Sequence, residues 1–259
     1  MQVQEPEWFL TGRLKKVVEV FSSSMLNEAQ AMATVVVDVD DTLISTDKSM
    51  QGVWREVLGR EVPLEVVETL SLEQIFMKYA SPEQKVRVDE FQKRFWDILL
   101  CLENVGVKLV ELQEPVSFAA DVLQEWSKQC ILVYLTGRTE NTRDLTLGQM
   151  EKFGFPTGNI QLTMLSVEDY ARVRGLNPSG STVVAAKSKL FSVISRKQNV
   201  VRVVDDFPGY FPVFKQFGVP ERIGLLRPKR YSPQDYIDQG ATRVVESWKQ
   251  LQDDLPQPI

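Results

Sequence analysis

The 259 residues include 43% hydrophobic and 25% charged side chains, with 30 Lys plus Arg against 35 Asp plus Glu. This is a globular composition, and a formal net charge of -5 without any basic block makes nucleic acid an unexpected partner. The complete absence of histidine excludes Ser-His-Asp and Cys-His nucleophilic sites, HExxH and every histidine-ligated zinc, while two cysteines without CxxC spacing leave no zinc ribbon.

Residues 1–30 read as a helical N-terminal extension, with Phe9, Val17, Val20 and Phe21 on one stripe. The opening MQVQEPEWFLTGRLKK lacks the basic-then-apolar pattern of a secretory signal. No uncharged apolar window approaches a membrane span, so a cytoplasmic protein without a membrane partner is expected. The first apolar run, Thr34–Val39, reads as a strand buried on both faces.

Residues 47–116 then read mainly as helix. Ser71-Leu72-Glu73-Gln74 and Ser81-Pro82-Glu83-Gln84 are capping boxes, and Phe91, Phe95, Ile98 and Leu99 form an apolar stripe. Trp54, Tyr79 and Trp96 are expected in the core of this insertion. Lys48, Arg55, Arg60, Lys78 and Arg94 are basic residues that could face a substrate anion, although charges on helices usually meet solvent.

From residue 117 strands and helices alternate. A helix is predicted over Ser117–Lys128, with Phe118, Val122 and Trp126 on one face, then a strand at Ile131–Leu135. A helix over Glu140–Phe153 stops at Gly154 and Pro156. A strand at Ile160–Met164 follows, then a helix from Lys187 to Arg196 carrying Leu190, Phe191 and Ile194, and strands at Val200–Val204 and Arg222–Leu226. The pattern predicts an α/β fold: a Rossmann-like parallel sheet flanked by helices, with its core in 31–46 and 117–259 and an α-helical insertion at 47–116.

The first strand runs into Asp38-Val39-Asp40-Asp41-Thr42, and the fourth run ends in Asp205-Asp206. In parallel α/β sheets ligands bind beyond the carboxyl ends of strands. Carboxylates delivered to that edge are costly to bury unless paired or bound to metal. Asp38 and Asp40 fall on one side of an extended chain, which suggests a magnesium site, an acid–base pair, or both. Thr136 and Gly137 end the second run, where a hydroxyl and an approachable backbone N–H could hold a phosphate.

Four motifs in chain order, DVDDT (Asp38–Thr42), LTGR (Leu135–Arg138), AAKSKL (Ala185–Leu190) and VVDDFP (Val203–Pro208), resemble those of the haloacid dehalogenase superfamily of phosphatases. The resemblance spans residues 34 to 228, and the insertion falls where that family places a helical cap. It implies a magnesium-dependent phosphatase acting on a small phosphorylated metabolite. Asp38 matches the nucleophile that forms an aspartyl-phosphate, and Asp40 the acid–base residue, whose backbone carbonyl also reaches the metal. Thr136 and Lys187 match the remaining catalytic positions. Asp38, Asp40, Asp205 and Asp206 are the implied metal residues, and Asp41, Thr42, Gly137 and Arg138 the implied phosphate contacts. Lys189 competes with Lys187, and Asp205 with Asp206; helix pattern favours Lys187 and alignment favours Asp206. Arg138 is equally readable as a surface arginine. Asp40 argues against dehalogenation, since halide leaves without a proton. A phosphotransferase or phosphomutase of the same superfamily, or a non-catalytic phosphate-binding regulatory protein, are the alternative readings.

Overall fold

The computed structural model describes residues 32–158, 160–168, 181–227 and 229–256. The helical extension expected over residues 1–30 lies outside them.

Six parallel strands form one sheet: β1 (Ala33–Val37), β4 (Ile131–Thr139), β5 (Ile160–Leu165), β6 (Asn199–Asp205), β7 (Glu221–Leu225) and β8 (Arg243–Val245). Two short strands, β2 (Ile44–Ser45) and β3 (Glu114–Pro115), pair separately and antiparallel. The order in the sheet is β5-β4-β1-β6-β7-β8. The fold is therefore a Rossmann-like α/β sheet. The chain winds outward from β1 through β4 and β5, then returns to the other side of β1 with β6. That reversal puts the ligand-binding edge of such sheets at the carboxyl end of β1.

The apolar runs form strands because both faces of the sheet are covered. Val35 and Val37 pack with Leu132, Tyr134, Trp126 and Trp248 on one face. Val36 packs with Val133, Leu135, Val203, Phe191 and Phe211 on the other. The five predicted strands are present. β8 went unpredicted, being three residues long and too short to show a pattern.

Between β2 and β3 the chain is helical: α1 (Asp47–Leu58), α2 (Leu64–Thr69), α3 (Leu72–Tyr79), α4 (Pro82–Val86), α5 (Val88–Leu99) and α6 (Asn104–Leu109). This insertion has its own apolar core around Val53, Trp54, Ile75, Phe95 and Ile98, with the Trp54 and Phe95 rings 4.5 Å apart. Both capping boxes form, with Gln74 N and Gln84 N each bonded to the cap serine and both glutamine side chains returning the bond. The β2–β3 pair joins the two ends of the insertion to form its neck.

The outer helices are α7 (Ala119–Trp126), α8 (Arg143–Lys152), α9 (Ser181–Lys197), α10 (Phe211–Gln216) and α11 (Pro233–Asp238). Two expectations need correction. Phe118 is not on the buried face of α7; it precedes the helix at φ 66 and is exposed, while Ala119 and Leu123 join Val122 and Trp126 inside. Lys187 does not begin its helix but lies in the second turn of α9, because the β-branched Val183 and Val184 that disguise the start are helical here. Among the described residues no helix is long and apolar enough to cross a membrane.

Gly224 in β7 lies against Tyr236 of α11, which is fully buried. A Cβ there would sit 2.4 Å from the tyrosine ring, whose hydroxyl donates to the carbonyls of Asp206 (2.6 Å) and Leu225 (3.0 Å). Gly224→Ala should therefore lower the unfolding free energy by about 1–3 kcal/mol, read from the urea midpoint at unchanged slope. An unshifted midpoint would contradict this packing.

Candidate active site

β1 ends at Val37, and the next residues turn sharply beyond the sheet edge. Asp38 N–H still donates to the Val204 carbonyl of β6 at 3.0 Å, which fixes Asp38 between the two strands. Asp41 takes the left-handed conformation (φ 63), which short polar side chains tolerate, and Leu43 and Ile44 N–H close back on the Val39 carbonyl. The turn thus presents Asp38, Asp40 and Asp41 to one edge. At β4 the pairing with β5 is interrupted between Leu135 and Thr139, and the interruption lifts Thr136, Gly137 and Arg138 to the same edge. β6 adds Asp205 and Asp206, and α9 passes above them with Lys187.

Asp38, Asp205 and Asp206 converge: one carboxylate oxygen from each lies within 4.8 Å of the others. Lys187, only 2% exposed, places its ammonium 2.5 Å from Asp38 Oδ1 and 2.9 Å from Asp205 Oδ2, with the Tyr210 ring beneath it at 4.1 Å. Lys189 is exposed, so the structure brings Lys187 to the cluster and not its rival. Both Asp205 oxygens are engaged, Oδ2 by Lys187 and Oδ1 by the Phe207 N–H at 2.9 Å. Asp206 keeps more acceptor capacity: among the described residues its carboxylate meets the Thr42 hydroxyl (3.2 Å) and, at 3.7 Å, Arg227.

Several residues hold positions other than those expected. Thr42 is fully buried and braces the cluster: its hydroxyl lies 3.1 Å from Asp38 Oδ2 and accepts the Asp206 N–H at 3.1 Å, so it is not presented to a phosphate. Asp41 is likewise spent, its carboxylate on Thr46 (2.7 and 2.8 Å) and Arg227, its N–H on the Ile44 carbonyl. Arg138 is neither a surface arginine nor open to a phosphate. It grips Asp40 with Nη2 (2.7 Å) and Nε (2.9 Å) and spends its other donor contacts on Gln113, Gln149 and Thr146. Thr136, fully buried, donates to Asp40 Oδ2 at 3.1 Å. Gly137 lines the cavity, and a Cβ there would lie 2.9 Å from Val183.

Sequence reasoning missed Arg227. It follows β7 at the same sheet edge and binds Asp47 (2.7 Å), Asp41 and, more distantly, Asp206. The readable signal was a basic cluster, RPKR, immediately after a strand's carboxyl end.

In total six carboxylates, Asp38, Asp40, Asp41, Asp47, Asp205 and Asp206, share three basic side chains, Arg138, Lys187 and Arg227. Burial pushes the Asp38 carboxyl up to about 7, against the pull of Lys187, and Asp205 and Asp40 add to the rise. Burial also raises Asp205, and raises Asp206 well above its usual range, helped by Asp41, Asp38 and Asp205. Burial alone would lower Lys187, but Asp205 and Asp38 outweigh it and hold the ammonium charged. The all-oxygen donor set and its surplus negative charge fit a hard divalent cation.

The cluster opens into a cavity of about 270 Å³ between the sheet edge and the insertion, bordered by Asp38, Asp40, Asp206 and Lys187 at one side. None of Lys48, Arg55, Arg60, Lys78 and Arg94 lines it. Lys48 pairs with Glu114, Arg55 with Glu56 and Glu61, and the other three are exposed. Trp54 is in the insertion's core as expected, whereas the half-buried Trp96 also borders the cavity.

This architecture is shared with solved structures. A haloacid dehalogenase-like hydrolase from Streptococcus pneumoniae superposes with a TM-score of 0.58 over 85% of this chain and 97% of its own, at 14% identity. A predicted phosphatase from Clostridium acetobutylicum gives 0.56 over 86% and 97%, at 15% identity. The fold is that of the haloacid dehalogenase-like hydrolases. No protein-family model and no curated protein matches the sequence.

With no histidine in the chain, Asp38, pushed up to about 7 by burial, is the buried acid placed to titrate between pH 5.5 and 8. A carboxyl whose folded pKa is raised contributes stability that is full below its unfolded value and is lost as pH rises through the folded one. The metal-free protein should therefore lose thermal stability from pH 5.5 to 8, and magnesium should restore more of it at pH 8. A melting temperature that rises across this window would contradict the assignment.

Proposed function

We propose that the chain is a magnesium-dependent phosphatase that hydrolyses a small phosphomonoester through an aspartyl-phosphate on Asp38. The observation that carries this reading is the position of Asp38: a buried carboxylate at the switch point of the sheet, held by Lys187, two residues from Asp40, and bordering a cavity.

Asp38 attacks phosphorus through a carboxylate oxygen, and the ester P–O bond breaks. Asp40 gives its proton to the leaving oxygen. Water then attacks the phosphorus and loses a proton to Asp40, the bond to Asp38 breaks, and orthophosphate leaves. Lys187 keeps Asp38 in place and offsets charge on the transferring group. Arg138 and Thr136 hold Asp40 in register with Asp38. Asp40 Oδ1 takes the two closer Arg138 contacts, and Oδ2 accepts from the Thr136 hydroxyl at 3.1 Å and from Arg138 Nε at 3.2 Å. Asp38, Asp206 and the Asp40 backbone carbonyl would hold magnesium, and Asp205 anchors Lys187. When bound, the ion supplies neutralisation of the repulsion between Asp38 and the phosphate. The insertion, residues 47–116, serves as the cap that closes the cavity over the substrate.

Phosphate release from a panel of small phosphomonoesters should require magnesium. Asp38→Asn should abolish it, and Asp40→Asn should lower kcat by about 10²–10⁴-fold. Turnover that survives Asp38→Asn would exclude the mechanism.

A further inference from the structure

The two sides of the cavity differ in chemistry. The side nearest Asp38 carries carboxylates and the Lys187 ammonium. The insertion contributes Met50, Trp96, Leu99, Leu100 and Val110, and the core adds Leu145 and Val183. Among the described residues, the insertion supplies the lining with no charged side chain.

Several of the polar side chains that line this region have donors engaged elsewhere. Gln113 Nε2 donates to Ser49 (3.1 Å), and its Oε1 accepts from Arg138 and Gln149 (both 2.9 Å). The Thr142 hydroxyl donates to the Thr139 carbonyl at 2.8 Å, and the Thr46 hydroxyl to Asp41 at 2.7 Å. Arg230 donates Nη2 to the Val67 carbonyl (2.5 Å) and Nε to the Glu68 carbonyl (3.2 Å). A sugar placed here would lose water from its hydroxyls and find few partners in return, which costs binding energy. A hydrocarbon group would lose nothing and bury apolar surface.

Building on the phosphatase reading, we propose that the substrate is the phosphomonoester of a small apolar alcohol or phenol, its hydrocarbon part seated against Met50, Trp96, Leu99, Val110 and Leu145. The cavity volume of about 270 Å³, just below the roughly 300–1,000 Å³ of small-molecule sites, limits that part to a few carbons or one ring.

Alkylphosphonates, which cannot be hydrolysed, test the wall without requiring turnover. Calorimetric titration of methyl-, propyl- and hexylphosphonate into the magnesium-loaded protein should show affinity rising about fourfold per methylene until the chain fills the cavity. Met50→Gln and Leu145→Asn, which keep side-chain size, should flatten that slope. Affinity that is flat or falls with chain length, or a slope unchanged in both variants, overturns the proposal. Turnover of hexyl phosphate and glycerol phosphate, followed in parallel, separates the two readings. Equal turnover of both esters with no phosphonate slope leaves a phosphatase and removes the apolar preference. A clear slope with no phosphate released from either ester supports the apolar site and removes the phosphatase.

Discussion

The structure depends on one electrostatic problem: three carboxylates, Asp38, Asp205 and Asp206, are buried together at the ends of two adjacent parallel strands. Isolated charges of this kind are not sustainable in a protein interior. Lys187 answers part of the problem by lying between Asp38 and Asp205, Thr42 ties Asp38 to Asp206, and Arg227 draws Asp41 and Asp47 in behind them. The remainder is left as surplus negative charge, expressed as carboxyls that hold their protons far above the usual range. A site that stores this much unmet demand for positive charge is prepared for a cation.

The sheet creates this situation by its winding order. Because β4 and β6 flank β1, the turns after all three strands open on the same crevice, and each delivers a different chemistry. β1 brings the acids, β4 the residues that hold Asp40, and β6 the second acidic pair. The insertion enters immediately after the first turn and is closed at its neck by β2 and β3. Its placement lets an apolar wall face an acidic one across one small cavity.

Much of this was legible in the sequence. Runs such as Val35-Val36-Val37 announce strands buried on both faces, and an apolar strand that ends in Asp38-Val39-Asp40 announces a site because nothing about core formation calls for those acids. Other features were hidden because they are decided by tertiary contact. Arg138 is 98 residues from Asp40, and no local pattern distinguishes an arginine that grips an acid from one that awaits a phosphate. The acid partners of Arg227, Asp41 and Asp47, are as remote in sequence, so only its place after a strand's carboxyl end was readable. Thr42 and Asp41 look like binding residues in one dimension, yet the sharp turn points them inward as braces. β8 lacked the length to register as a strand, and the β-branched start of α9 concealed that Lys187 is one turn inside the helix.

Calorimetric titration of magnesium into the metal-free protein near pH 6.5, repeated in buffers of different ionisation enthalpy, tests the central claim most directly. The account predicts one ion per chain, bound with release of protons from the buried acids, and loss of that binding in Asp206→Asn. No binding, or binding without proton release that survives Asp206→Asn, would contradict it.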